Sequence, residues 1–350
     1  MAILPLFSRA QTNLSVASNY GWVMPHRKEM HRIVQGHSYG FNIQVTKQVQ
    51  DEKEWHKLYL MPELGGNFSY LNLGNDAELG SAYGFFIQMR LPFSVHQKWN
   101  HALNLGSGVG YVSKAFDVEN NRFNTAIGSK INAGIFFEYN YRRWLSDRLQ
   151  LDLGFRMTHY SNGAYQIPNL GLNMPGLCIG LSYDASKKDR RIVKTPPKYK
   201  LMERKSNETQ IVIIGAVRES FPATGPKYGV FGLGITENLR FSDRSSFVTG
   251  FEFFYNASLG KQLREFKGIE PEAKDLNSFG LSAGYMMHFG DMILLFQMGH
   301  YIADEHKING PWFHRIGWRQ KIHGHLMATI NLKSHFARAD YFEFGLGWNL

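Results

Sequence analysis

A single cysteine, Cys178, stands in a chain of 350 residues. One thiol cannot close an internal disulfide, so Cys178 reads as a small apolar filler and no disulfide framework organises the fold. There is also no unbroken apolar run of roughly 18 residues or more, the length an α-helix needs to cross a bilayer, which excludes a transmembrane helix. Charged residues are scarce at 19 %, too few to suit two ordinary soluble domains. Among the charges acid is in deficit, with 29 Asp and Glu against 39 Lys and Arg and a formal charge of +10, so an anionic partner is expected. Nucleic acid is not expected to be that partner, because the basic residues are scattered over loops and inward positions instead of being gathered on a helix. Metal ligation lacks support as well. His323 and His325, and the dispersed His26, His31 and His37, have no cysteine or carboxylate at ligand spacing beside them, and no cofactor motif is present.

What the chain does contain is glycine, at 35 residues, aromatics, at 14 %, and a long series of segments of about ten residues that alternate apolar with polar and are separated by turn residues. Candidate strands fall at 11–24, 36–49, 57–71, 80–93, 100–116, 128–142, 146–161 and 175–185. A second set falls at 209–219, 227–240, 245–258, 276–289, 291–302, 312–322, 324–335 and 340–350. No helix pattern accompanies them to cover a greasy face, so the apolar solvent for that face is lipid. The expected fold is all-β, an antiparallel transmembrane β-barrel, read as one barrel of about 14–16 strands. Glu138, Arg142, Asp152, Arg156 and Glu252 share the inward parity and predict a salt-bridged lumen.

Residues 1–10 read as a signal remnant or disordered start, because their apolar core is too short for a full secretory signal. Residues 11–185 form a first barrel half. Residues 186–208, basic and marked by Pro196 and Pro197, read as a periplasmic connector, and 209–350 as a second barrel half. The segment from Phe296 to Ile302 lies against the segment from Phe155 to Ser161, so the second half is possible as a degenerate repeat that kept a histidine, His300, and replaced the serine with Ile302. The last strand alternates Phe342, Phe344, Leu346, Trp348 and Leu350 with Glu343, Gly345, Gly347 and Asn349, as expected of a barrel closing on its own first strand.

The stretch 151–173 carries the chemistry. Leu151, Leu153, Phe155 and Met157 line one face of a strand, and that face ends in His159 and Ser161. Two residues apart on one side of a strand is roughly 6.5–7 Å, within reach for an imidazole leaning onto a hydroxyl. A serine needs such a base to act as a nucleophile. Backbone N–H groups at Asn162 and Gly163, with a side-chain amide from Asn162 or Asn169, could serve an oxyanion. Asn173, at the parity of Leu177, Ile179 and Leu181, could reach the far nitrogen of His159. Connection lengths alternate, and barrels of this kind keep their longer loops outside, which places His159 and Ser161 at the outer rim.

The run Phe155-Arg156, His159-Tyr160-Ser161-Asn162, Pro168-Asn169, Gly171 and Asn173 resembles the lipid A 3-O-deacylase family of the PagL type, also called acyloxyacyl hydrolases. The resemblance implies a bacterial outer-membrane barrel with a Ser-His site on its lipid-facing wall at the outer leaflet, and hydrolysis of an ester-linked acyl chain of lipid A or lipopolysaccharide. It assigns Ser161 as nucleophile, His159 as general base, and Asn162 and Asn169 to the oxyanion. Where the well-known deacylases have a glutamate this chain has Asn173, whose amide oxygen can hold an imidazole tautomer but cannot balance an imidazolium charge. The alternative reading from another class is a non-enzymatic barrel, a pore or a scaffold subunit with an outer-membrane protein partner.

Overall fold

The computed structural model describes residues 12–49, 53–96, 98–186, 207–336 and 338–350. The expected signal remnant at 1–10 and residues 187–206 of the connector lie outside the described residues. Within them the period-two alternation forms strands throughout. The first eight are β1 (Thr12–Trp22), β2 (His37–Gln48), β3 (Glu63–Asn72), β4 (Ser81–Val95), β5 (Trp99–Val112), β6 (Ile131–Trp144), β7 (Leu149–Ser161) and β8 (Leu172–Asp184). The second eight are β9 (Asn207–Glu219), β10 (Lys227–Arg240), β11 (Ser245–Asn256), β12 (Asn277–Phe289), β13 (Met292–Ala303), β14 (Trp312–His323), β15 (Leu326–His335) and β16 (Arg338–Asn349). By compactness, residues 12–161 and 170–186 form one unit, and 162–169 with 207–350 the other.

Each set of eight closes on itself as an antiparallel barrel, so the expected single barrel of 14–16 strands is corrected to two barrels of eight. The reason lies at the seams. β8 pairs with β1 from Asp184 opposite Asn13 to Gly176 opposite Gly21, which leaves no open edge to receive a ninth strand. The last strand accordingly closes on β9, with Phe344 opposite Gly215 and Asn349 opposite Gln210, and not on the first strand of the chain. The proposed repeat also fails in its alignment. His300 lies on β13, the fifth strand of its barrel, whereas His159 lies on β7, the seventh of the other. The segment expected as a strand at 57–71 begins only at Glu63, because a helical turn at Glu54–Leu58 precedes it and Leu60 and Met61 take positive φ.

Outward positions are apolar and exposed, for example Ile87 at 75 % and Leu177 at 67 %, whereas the inward Arg90, one position parity away from Ile87, is 3 % exposed. Polar in and apolar out is the pattern of a barrel solvated by lipid. An eight-stranded barrel is just wide enough for its own side chains, and both lumens are filled. In the first, Glu63 accepts from Arg90 and Arg142, both at 3.2 Å, and Arg142 also pairs with Asp152 at 2.7 Å. Arg156 pairs with Glu138, and its guanidinium lies 3.6 Å from the Phe136 ring centre. The inward ion pairs read from the alternation are therefore present. At the end of this barrel that bears the connections 23–36, 73–80 and 113–130, Val23, Met30, Ile33, Leu73, Leu79, Ala126 and Ile127 pack onto Phe86, Phe136 and Tyr160 as one apolar plug. In the second barrel, Arg315 binds both Glu252 and Glu343, and the Lys333 ammonium donates to the Tyr301 and Tyr341 hydroxyls.

Candidate active site

On β7 the lumen-facing series is Gln150, Asp152, Arg156, Thr158 and Tyr160, all buried, and the opposite parity holds Leu153, Phe155, Met157, His159 and Ser161. Tyr160 anchors the strand end by filling the lumen beneath the apolar plug. His159 and Ser161 thereby share the face of exposed Leu153 and Phe155, although Ser161 itself is only 1 % exposed.

Strand register brings in the third residue. β7 and β8 pair so that His159 lies directly opposite Asn173, with Met157 opposite Pro175. Side chains of directly opposed residues point the same way and meet, and His159 Nδ1 is 2.7 Å from Asn173 Oδ1. On the other flank β6 sets Ile135 beside His159 and Ala133 beside Ser161, apolar neighbours that do not compete for the imidazole. Gly171, just before β8, takes φ +84°, and a Cβ there would sit 2.8 Å from His159 Cε1. Both the left-handed backbone and the close approach to the ring call for glycine.

The turn 162–169 is organised by its own side chains. Asn162 N–H donates to Asn169 Oδ1 at 3.1 Å, Asn162 Nδ2 donates to the Gln166 carbonyl at 2.9 Å, and Gln166 N–H returns a bond to Asn162 Oδ1. Gly163 adopts φ +60°. Two of the donors expected to serve an oxyanion, the Asn162 backbone N–H and the Asn162 amide, are therefore engaged within the turn. The Asn169 amide is oriented with its oxygen toward Asn162, which makes Nδ2 its donor end.

One participant escaped the sequence reading in this role. His26, weighed there only as an unsupported metal ligand, lies with its Nδ1 3.1 Å from Asn173 Nδ2 and its Nε2 3.0 Å from the Leu170 carbonyl oxygen. It is placed by the chain beyond β1, which continues alongside β8 through a bond from Met24 N–H to the Asn173 carbonyl at 2.8 Å. No local pattern could have revealed this, since His26 and Asn173 are 147 residues apart. The other histidines considered as ligands do not converge. His37 stacks on Tyr20 and His325 on Trp348, and the group of metal-binding residue types found among the described residues is Asp275, Glu305 and His306 in loops of the second barrel.

Two family models match the chain: lipid A 3-O-deacylase (PagL) over residues 28–182, and the C-terminal domain of acyloxyacyl hydrolase over residues 207–350. No curated protein matches it. Solved structures similar to it include Neisserial surface protein A, with 9 % identity over 50 % of this chain and 96 % of that one and a TM-score of 0.34. They also include a triple mutant of the Rhodopseudomonas blastica porin, with 9 % identity over 98 % of this chain and 100 % of that one and a TM-score of 0.18. With both halves matched, and with the first containing the His159, Ser161 and Asn173 constellation, the chain belongs to the PagL family of lipid A 3-O-deacylases and acyloxyacyl hydrolases.

Proposed function

We propose that the protein is an outer-membrane serine esterase that removes an ester-linked acyl chain from lipid A, with its site at the outer-leaflet rim of the first barrel and facing lipid. Membership in a lipid A deacylase family supports the substrate class. The observation that carries the residue assignment is the 2.7 Å bond between His159 and Asn173 on the wall face that bears exposed Leu153 and Phe155. With Nδ1–H held by the Asn173 oxygen, His159 presents Nε2 as a base toward Ser161, one pleat repeat along the same face.

The chemistry follows from these roles. Ser161 Oγ attacks the ester carbonyl carbon while His159 Nε2 takes the hydroxyl proton. The oxyanion that forms needs hydrogen-bond donors, and Asn162, Gly163 and Asn169 are the residues proposed for that role. Collapse breaks the bond to the sugar oxygen, which receives the proton from His159. A water, deprotonated by the same imidazole, then hydrolyses the acyl-serine and releases the fatty acid. Asn173 holds the tautomer without supplying negative charge, so the imidazolium formed in each step is oriented but not neutralised. The acyl chain already lies in the leaflet beside the wall, so the lipid need not be drawn into a pocket.

The pore reading is disfavoured by the lumens, which are occupied by buried ion pairs and aromatic rings in both barrels. The scaffold reading predicts no covalent chemistry at Ser161. Mass spectrometry of lipid A incubated with the detergent-purified protein tests the proposal. Loss of one hydroxyacyl chain with the parent, and with neither Ser161→Ala nor His159→Ala, is the expected result. An unchanged spectrum with a folded parent protein would refute the esterase in favour of the scaffold.

A further inference from the structure

We infer that His26 is a positioning residue of this site: through Asn173 it selects the tautomer of His159 that leaves Nε2 free to act as base. The inference rests on the esterase reading for its consequence in turnover, and on geometry alone for the tautomer.

A carbonyl oxygen only accepts, so His26 Nε2, 3.0 Å from that of Leu170, carries the proton. Nδ1 lies 3.2 Å from the Met24 carbonyl oxygen as well as 3.1 Å from Asn173 Nδ2; with the one proton of the neutral ring on Nε2, at the shorter of the two carbonyl contacts, Nδ1 keeps the lone pair and faces the Asn173 amide nitrogen with it. An amide nitrogen only donates, so this contact is a bond in one orientation of the Asn173 amide and a clash of two acceptors in the other. With Nδ2 committed to His26, the amide oxygen is turned to His159 Nδ1 at 2.7 Å, and it requires the proton there. The free lone pair of His159 is consequently on Nε2.

Without His26 the amide has no reason to choose. A flipped Asn173 would donate to His159 Nδ1, move the imidazole proton to Nε2, and remove the base from the side that needs it. A carboxylate at position 173 has two accepting oxygens and would need no such instruction. An asparagine there does, and His26 provides it. The rest of the surroundings hold the relay in place: Met24 N–H donates to the carbonyl of Asn173 itself, and Gly171 leaves room for the His159 ring.

The test uses full-length protein labelled with 15N-histidine in detergent micelles, in which imidazole nitrogen shifts report the tautomer of His159, alongside kinetics of acyl release from lipid A. His26→Leu removes the ring contacts to Leu170, Met24 and Asn173 at similar size. It is expected to convert His159 from the Nδ1–H form to a mixture and to lower kcat about ten-fold or more with KM little changed, since a wrong tautomer removes the base without touching substrate binding. His26→Gln, whose Nε2 can donate to Leu170 while Oε1 accepts from Asn173, is expected to restore most of that loss. Adding Asn173→Asp to His26→Leu is expected to recover it too, because either carboxylate oxygen accepts from His159 Nδ1. If His26→Leu leaves the tautomer and kcat unchanged, or if the double variant remains as slow as His26→Leu, the positioning role is overturned. If the tautomer shifts as described while the parent releases no fatty acid, the relay stands and the esterase reading is the one that fails.

Discussion

Arg315 offers the sharpest test of how the second barrel is held together. Its guanidinium sits in the lumen with Nη1 and Nη2 on the two oxygens of Glu252 at 3.0 and 2.7 Å, and Nε and Nη2 on those of Glu343 at 2.6 and 3.0 Å. A further bond runs from Nη1 to Gln297 Oε1. Glu252 is 4 % exposed and Glu343 fully buried. Removing one member of a buried ion pair strands the other and costs about 3–5 kcal/mol. Arg315→Met strands two carboxylates in one lumen, so the upper end of that range applies, about 5 kcal/mol or some three and a half decades in the opening equilibrium. Glu343→Gln should cost far less, about 1–3 kcal/mol, because Arg315 keeps its two-pronged contact with Glu252. The triple variant Arg315→Met, Glu252→Gln, Glu343→Gln should recover only part of the loss, since it removes both stranded carboxylates but leaves buried Arg319 and Lys333 in the same lumen without those acidic neighbours. Hydrogen–deuterium exchange of the full chain in micelles reads this locally: peptides of β11, β14 and β16 should lose protection in Arg315→Met, with peptides of β1–β8 as the reference. Equal protection in Arg315→Met and the parent would refute the view that this ion cluster is held in a dry lumen.

Two further expectations concern the wall and a loop. Ile179 on β8 is 59 % exposed on the apolar face; Ile179→Arg should destabilise the first barrel by about 2–4 kcal/mol if the residue meets the bilayer near its midplane, and urea unfolding in lipid vesicles measures it, with no change arguing against a lipid-facing wall. In the connection 113–130, Asp117 Oδ1 accepts from the backbone N–H of Asn120 at 2.7 Å and of Glu119 at 3.0 Å, and these bonds, Asn120's first, hold its pKa below the ordinary 3.8. A depressed carboxylate stabilises the folded loop above the ordinary value and loses that contribution as pH falls through the lowered one. Protection in this loop, taken relative to intrinsic amide exchange at each pH, should therefore fall on acidification below about pH 4, whereas Asp117→Asn, whose amide oxygen can still accept, should remove that acid dependence.

The strand character and the facing of nearly every residue were legible in the sequence because side-chain parity on a strand is local: Arg142 and Asp152 could be assigned to the lumen, and Leu177 and Ile179 to the outside, from their neighbours alone. Asn173 could be placed within reach of His159 for the same reason, since both lie on adjacent strands joined by one turn. The helical turn at Glu54–Leu58 was missed because its few residues carry no full helical period. The bonds within the 162–169 turn, which engage Asn162 N–H with Asn169, depend on side-chain rotation that no pattern records.

The sequence by itself determined an all-β chain with an apolar wall, a polar lumen and a histidine and serine on one face of one strand, since each of these follows from period-two alternation. Only the tertiary structure decided that sixteen strands close as two barrels of eight, because closure depends on which edge meets which, as when β1 takes the free edge of β8. Only it decided that His26 stands behind Asn173, because a hydrogen bond across 147 residues exists once the barrel has closed and has no counterpart in the spacing of the chain.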